Sequence, residues 1–390
     1  MARVTQAAAS PAATLPLKLA ATSVFPTPET KAFMLPVLVQ LVIVMGFFYG
    51  LSPLVLPVAE RFAVTDGDNG LVDGIFLYGF AILFAGTDWV GCAACLCLPQ
   101  RRWLRHVLLN SAVAMWPLTI GCLALSVHLS SIPMFFASFV VMSVPLGIIG
   151  MYVLHAEMPA AWGQQITKGS AMAGVAIGVG ALLWTVFLGE VTNALGSERI
   201  AEVIGIAACV SAVPMIAVLG CCSPGRARPA LLGSSEASKQ PGRPLRALIL
   251  DWRVHVWCCV VNAFVFCGIS MKMLLTTIFE ESLGMSYIQA TRMSAVCLLV
   301  YAPCRGLSPL FASKDRVFRV FLVVLLLEVA TYSLTPWAVA LNARQEGHFA
   351  LAVYTGLRMI SGGGFAVMLG NIGVLAVRVF GAADVPNVVA

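Results

Sequence analysis

Apolar residues in this chain do not alternate with polar ones; they run on without interruption for about 20 residues or more. That is the length an α-helix needs to cross a hydrocarbon layer roughly 30 Å thick. Ten such runs lie near 34–58, 70–92, 106–127, 132–154, 169–188, 200–221, 255–278, 290–312, 317–341 and 348–376. Stretches such as VFLVVLLLEVATYSL and VVNAFVFCGISMKMLL lack the two-residue period of a membrane barrel strand. A segment in lipid must satisfy its own backbone hydrogen bonds, and a helix does so alone. The pattern predicts an all-α, multi-pass membrane protein embedded in a lipid bilayer.

Composition agrees: 59% of the 390 residues are hydrophobic and 11% are charged, against roughly 45–50% and about 25% in soluble domains. Charge then orients the spans. With the N-terminus inside, seventeen of the 24 basic residues fall in inner segments, and Arg61, Arg199, Arg292 and Arg344 fall outside. Cytoplasmic loops are enriched in Lys and Arg, so the N-terminus is expected to be cytoplasmic. The net charge of +6 belongs to those loops, and no base-reading motif points to nucleic acid. The cysteines sit in spans or on the inner side, where thiols stay reduced. Cys92, Cys95 and Cys97 lack the second ligand pair of a zinc site, so no metal is expected.

Residues 1–33 are rich in Ala, Pro, Ser and Thr, and read as a disordered cytoplasmic tail without a signal peptide. Residues 222–254 collect Pro, Gly, Ser and basic residues and read as a cytoplasmic linker. The linker divides a six-helix N-terminal bundle at 34–221 from a C-terminal part at 255–390 with about four helices. A faint echo relates the halves: PLGIIGMYVLHAEMPAAWGQQITKGSAMAGVAIG and SGGGFAVMLGNIGVLAVRVFGAADVPNVVA each pass from a glycine-rich helix to an aromatic–glycine pair, Trp162-Gly163 and Phe380-Gly381.

Four stretches in order carry a resemblance: GFFYGLSPLVLPVAERF, WGQQITKGSAMAGVAIGVGALLW, CLLVYAPCRGLSPLF and SGGGFAVMLGNIGVLAVRVFG. Together the chain resembles the major facilitator superfamily, in its branch of oxalate/formate exchangers and monocarboxylate porters. The signature loop after the second helix is reduced here to Gly86, Asp88, Gly91 and Arg101-Arg102. Members have twelve spans, and this chain ends about where an eleventh would begin, so the resemblance reads it as truncated at the C-terminus. It implies a two-bundle fold and alternating access around a central site.

Charges inside spans are costly and are functional candidates. Lys272, Arg305, Glu328 and Arg358 qualify. A guanidinium presents a planar fork matched to a carboxylate, and the resemblance places a substrate-binding arginine at Arg305; the competing role is an arginine near the inner third of its helix that snorkels or pairs with Glu328. Arg358, near mid-depth, is a second candidate. Lys272, six residues from the outer end of its predicted span, is expected to reach the interface on its flexible stem, and Glu328 to pair with a nearby arginine. Tyr301 lies one helical turn before Arg305. The resemblance implies that Tyr49 and Tyr152 line the cavity, and that Tyr301, standing where proton-coupled porters carry an aspartate, favours anion exchange.

The expected function is secondary active transport of a small organic anion, a monocarboxylate or dicarboxylate, by a monomeric protein of the plasma membrane rather than an organelle, without cofactors. The alternatives are a carrier of a neutral small solute, or a non-transporting degenerate paralogue acting as membrane sensor or partner. No metalloprotease, paired-aspartate or nucleophile-elbow motif points to an enzyme.

Overall fold

A computed structural model describes residues 28–66, 70–97, 102–162, 165–221, 250–311, 316–343 and 347–380, with the single residues Phe25 and Ala247. Most of the expected tail and linker, Gly163, Gly381 and Arg101 lie outside the described residues. Among the described residues, ten segments are long and apolar enough to cross a membrane. They are α1 (Thr30–Val64), α2 (Ile75–Cys95), α3 (Trp103–His128), α4 (Ile132–Glu157), α5 (Ile166–Leu195), α6 (Ser197–Gly220), α7 (Trp252–Met273), α8 (Tyr287–Leu310), α9 (Val317–Leu341) and α10 (His348–Gly373). The fold is all-α and polytopic, as the apolar runs predict.

Helices α2, α3, α4 and α6 pack against one another, and α8, α9 and α10 form a second group. Helix α5 lies between the groups, against α1 on one side and α8 on the other. The apolar windows of α1 and α5 are 67% and 61% buried, while that of α9 is only 22% buried; α1 and α5 are therefore central and α9 peripheral. Leu322, Val323, Leu326, Val329 and Trp337 make an exposed apolar face on α9, a face that suits lipid and not water.

Small residues set the central contacts. A Cβ on Gly46 would stand 2.6 Å from Gly180 Cα, and one on Gly178 would stand 2.4 Å from Ala302 Cα. Backbones this close leave no room for a side chain. Helix α5 thus presses α1 with one edge and α8 with another.

Three segments are broken near the same region. The α1 helix ends at Tyr49 and resumes at Val55 after a short tight turn. The cause is Pro53, which lacks an N–H and whose ring collides with the carbonyl four residues back, at Tyr49. In α8, Tyr287–Leu298 is followed by a turn before Tyr301–Phe311, and Pro303 acts in the same way on Leu299. Helix α7 bends at Leu274 and continues through Leu275–Thr277 and Ile278–Ser282; neither proline nor glycine accounts for that bend. The end of α4, Gly147–Glu157, is wound with wider π-type turns, a geometry that often accompanies a functional site.

Candidate functional site

The breaks bring Tyr49, Lys272 and Tyr301 together, each at the edge of an interruption. Arg305, one turn beyond Tyr301, donates from Nη1 to the Tyr301 hydroxyl at 2.6 Å. Its guanidinium carbon is 5.6 Å from the ring centres of both Tyr49 and Tyr301. The Arg305 stem lies on α5, where a Cβ on Gly174 would come 2.8 Å from Arg305 Cγ.

Lys272 sits beside this arginine. Its Nζ is 3.3 Å from the Tyr301 ring centre, 4.3 Å from that of Phe365 and 5.6 Å from that of Tyr49. The Tyr301 and Phe365 rings are stacked 6.3 Å apart, so the ammonium lies between two aromatic faces, which attract cations electrostatically. Among the described residues, no hydrogen-bond acceptor meets that Nζ. Phe365 fits because α7 offers Gly268 opposite it; a Cβ there would be 2.4 Å from the ring.

The expectation that Lys272 reaches the interface is corrected here. The residue is 7% exposed, because helix continues past it to Ser282 and adds the apolar residues Leu274, Leu275, Ile278 and Phe279 before Glu280 and Glu281. Ten further residues of helix rise roughly 15 Å, beyond the reach of the side chain.

Arg358 and Glu328 are also buried, but they do not pair. Arg358 Nη2 donates to the Thr331 carbonyl at 3.3 Å and to the Thr335 hydroxyl, while its guanidinium faces the rings of Tyr332 and Tyr354 at 5.5 and 5.4 Å. Its Nε and Nη1 have no partner. Glu328 accepts from the Ser361 hydroxyl at 2.6 Å, and its second oxygen has no partner. The expected ion pair of Glu328 with an arginine is therefore replaced by a serine contact, and Arg305 is not its partner either. Three formal cations and one carboxylate share this region.

Tyr152 behaves differently from Tyr49 and Tyr301. Its hydroxyl donates to Glu157, which Arg105 holds through Nε and Nη2, each at 2.5 Å. His155 belongs to the same π-wound stretch of α4. His155, Phe365 and the buried role of Lys272 are not singled out by the sequence alone. The available signal was position: Lys272 precedes six helical residues that are mostly apolar, and Phe365 lies two turns after Arg358.

No family model matches the sequence, and no curated protein matches it. Solved structures do. The chain is similar to the proton:xylose symporter XylE bound to 6-bromo-6-deoxy-D-glucose, with TM-score 0.59 and 14% identity over 92% of this chain and 86% of that one. It is similar to the human organic anion transporter MFSD10, with TM-score 0.51 and 16% identity over 93% and 96%. FucP in its outward conformation matches with TM-score 0.53 and 12% identity over 91% and 87%. At such identities the likeness is one of fold: the chain has the helical fold of major facilitator superfamily transporters.

Proposed function

We propose that the chain is a secondary transporter of a small organic anion, working by alternating access about the space between α1, α5, α7, α8 and α10. The observation that carries this reading is the pair Arg305 and Lys272, both buried and neither facing a carboxylate. A buried charge left without a counter-charge is costly, and an anionic substrate supplies one. Arg305 offers its fork to a carboxylate, and Tyr301 and Tyr49 flank it with hydroxyls and ring faces. Arg358, which lines a pocket with Lys272, adds positive field. Tyr152 contributes through the α4 turns that also carry His155.

The breaks in α1, α7 and α8 support the same reading, since interrupted helices commonly form transporter sites at mid-membrane. The name of MFSD10, an organic anion transporter, agrees with an anionic cargo; those of XylE and FucP favour a neutral solute as the second reading. With no carboxylate at position 301, exchange of one anion for another is preferred over proton symport. In this proposal six N-terminal helices and the later ones move as two bundles, the N-terminus and the 222–254 linker face the cytoplasm, and a monomer acts in the plasma membrane.

The test is counterflow in proteoliposomes loaded with oxalate, formate or lactate, with xylose as the neutral comparison. Saturable exchange of a carboxylate that is lost in Arg305→Gln is the expected result. Exchange of xylose and of no carboxylate would move the assignment to the neutral-solute reading.

A further inference from the structure

A small pocket lies between α7, α8 and α10. Lys272, Cys297, Arg358, Ser361, Gly362 and Phe365 contribute to its wall. Its volume is about 20 Å³, enough for one particle the size of a water molecule. Two nine-tenths-buried cationic side chains line it, and Lys272 Nζ and Arg358 Nε and Nη1 all lack acceptors. The nearest carboxylate, Glu328, is turned to Ser361 and makes no ion pair with either cation. Its unpartnered oxygen lies against Gly364, 3.1 Å from where a Cβ would stand.

Charge and size then restrict the occupant. Two cations against one carboxylate leave a formal excess of one positive charge around the pocket. A metal cation is repelled, and the small volume favours a single atom over a carboxylate with its carbon skeleton. A single monovalent anion fits both limits. We propose that this pocket binds one small inorganic anion of the halide class, held by Arg358 and Lys272. With that anion bound, Arg305 remains as the cation left for the organic substrate. The inference narrows the transport reading, in which Lys272 also faces the substrate, to Arg305 alone, and it is tested apart from that reading because halide binding is measured without any transport.

The experiment uses the full chain in lipid nanodiscs at constant ionic strength, with methanesulfonate as the replacing anion. Chloride-35 NMR line broadening is recorded against added bromide, and thermal unfolding is followed in parallel. The wild type is expected to broaden the line, to lose the excess when bromide competes, and to unfold at higher temperature in chloride. Arg358→Gln is expected to weaken chloride roughly tenfold or more, the size of a lost charged hydrogen bond.

Should Arg358→Gln fail to fold, Gly362→Ala serves. A Cβ there meets only the Cys297 carbonyl oxygen, at 3.7 Å, so it is accommodated while taking up pocket space with every charge kept. It is expected to weaken bromide more than chloride. Arg305→Gln is expected to keep the broadening even where it abolishes organic-anion exchange, which separates the two readings. Absence of broadening in the wild type, equal loss in Arg305→Gln, or a Gly362→Ala protein with unchanged halide affinity would overturn the proposal.

Discussion

Two buried charged clusters stand in this molecule, and they differ in one respect. Between α3 and α4, Arg105 and Glu157 meet through both arms of the guanidinium, and Tyr152 donates to the same carboxylate. Between α7, α8, α9 and α10, Lys272, Arg305 and Arg358 face hydroxyls, a carbonyl and rings, and Glu328 bonds a serine. The first cluster is complete within the chain. The second is one-sided, and its missing counter-charge must come from elsewhere. Burial of a charge therefore does not by itself mark a function; burial without a partner does.

The largest expected effect tests that contrast directly. Removing one member of a buried pair leaves the other uncompensated and typically costs about 3–5 kcal/mol. Glu157→Ala should lower unfolding stability by that order, measured by denaturant titration in bicelles. Arg305→Ala removes a cation that has no carboxylate to leave behind, and should leave stability nearly unchanged while abolishing exchange. Equal destabilisation by the two variants would erase the distinction between the clusters.

The next effect lies on affinity. Arg305→Lys keeps the charge and loses the fork; a lost hydrogen bond to a charged group is worth about 1.5–3 kcal/mol, or roughly ten- to a hundredfold. The Michaelis constant for the exchanged carboxylate should rise by that factor. An unchanged constant would remove Arg305 from substrate contact and leave it a structural arginine.

The apolar runs make the ten spans legible because length and hydropathy alone decide them. The breaks at Tyr49 and before Tyr301 accompany Pro53 and Pro303, but Pro117, Pro214 and Pro336 lie inside continuous helices, so proline alone does not mark a break. Arg305, Tyr301 and Tyr49 are neighbours in the structure, but the sequence places only the first two on one helical face. The sequence misplaces Lys272 because the apolar run stops near 278, whereas the helix continues to Ser282. The partner of Glu328 is not legible for another reason: helix order does not tell which face of α9 meets α10. Ser361, four residues before Phe365, takes the place expected for an arginine.

A packing variant sharpens the picture of α5 as the element joining both helix groups. Gly178→Ala would set its Cβ 2.4 Å from the Ala302 backbone, and no side-chain rotation relieves a clash with backbone. Overpacking costs on the order of 1–3 kcal/mol, and because Ala302 precedes Arg305 by one turn, exchange should fall with stability. Gly205→Ala, at a position with no atom within 4 Å of the added Cβ, is the control and should do neither. Similar behaviour of the two variants would mean that α5 and α8 are not pressed together as described.

The smallest effect concerns Glu280, outside the spanning segments, where the continuation of α7 ends. Burial and the nearby carboxylates of Glu60 and Glu281 hold its acid above the usual carboxylate range of 4.5, and one of its oxygens lacks a partner. A carboxyl raised in the folded state binds its proton more tightly there than in the unfolded chain. Its contribution to stability is then fully present below pH 4.5 and is lost as pH rises through the folded value. Glu280→Gln mimics the protonated form, so it should flatten this part of the pH–stability curve: slight stabilisation at neutral pH and none at pH 4. Unfolding of both proteins followed from pH 4 to pH 8 is the measurement. A variant less stable than the wild type at neutral pH would show that the Glu280 charge is satisfied by a group on the Glu60 side, and that this end of the molecule resembles the complete cluster of Arg105 and Glu157 more than the open one around Lys272.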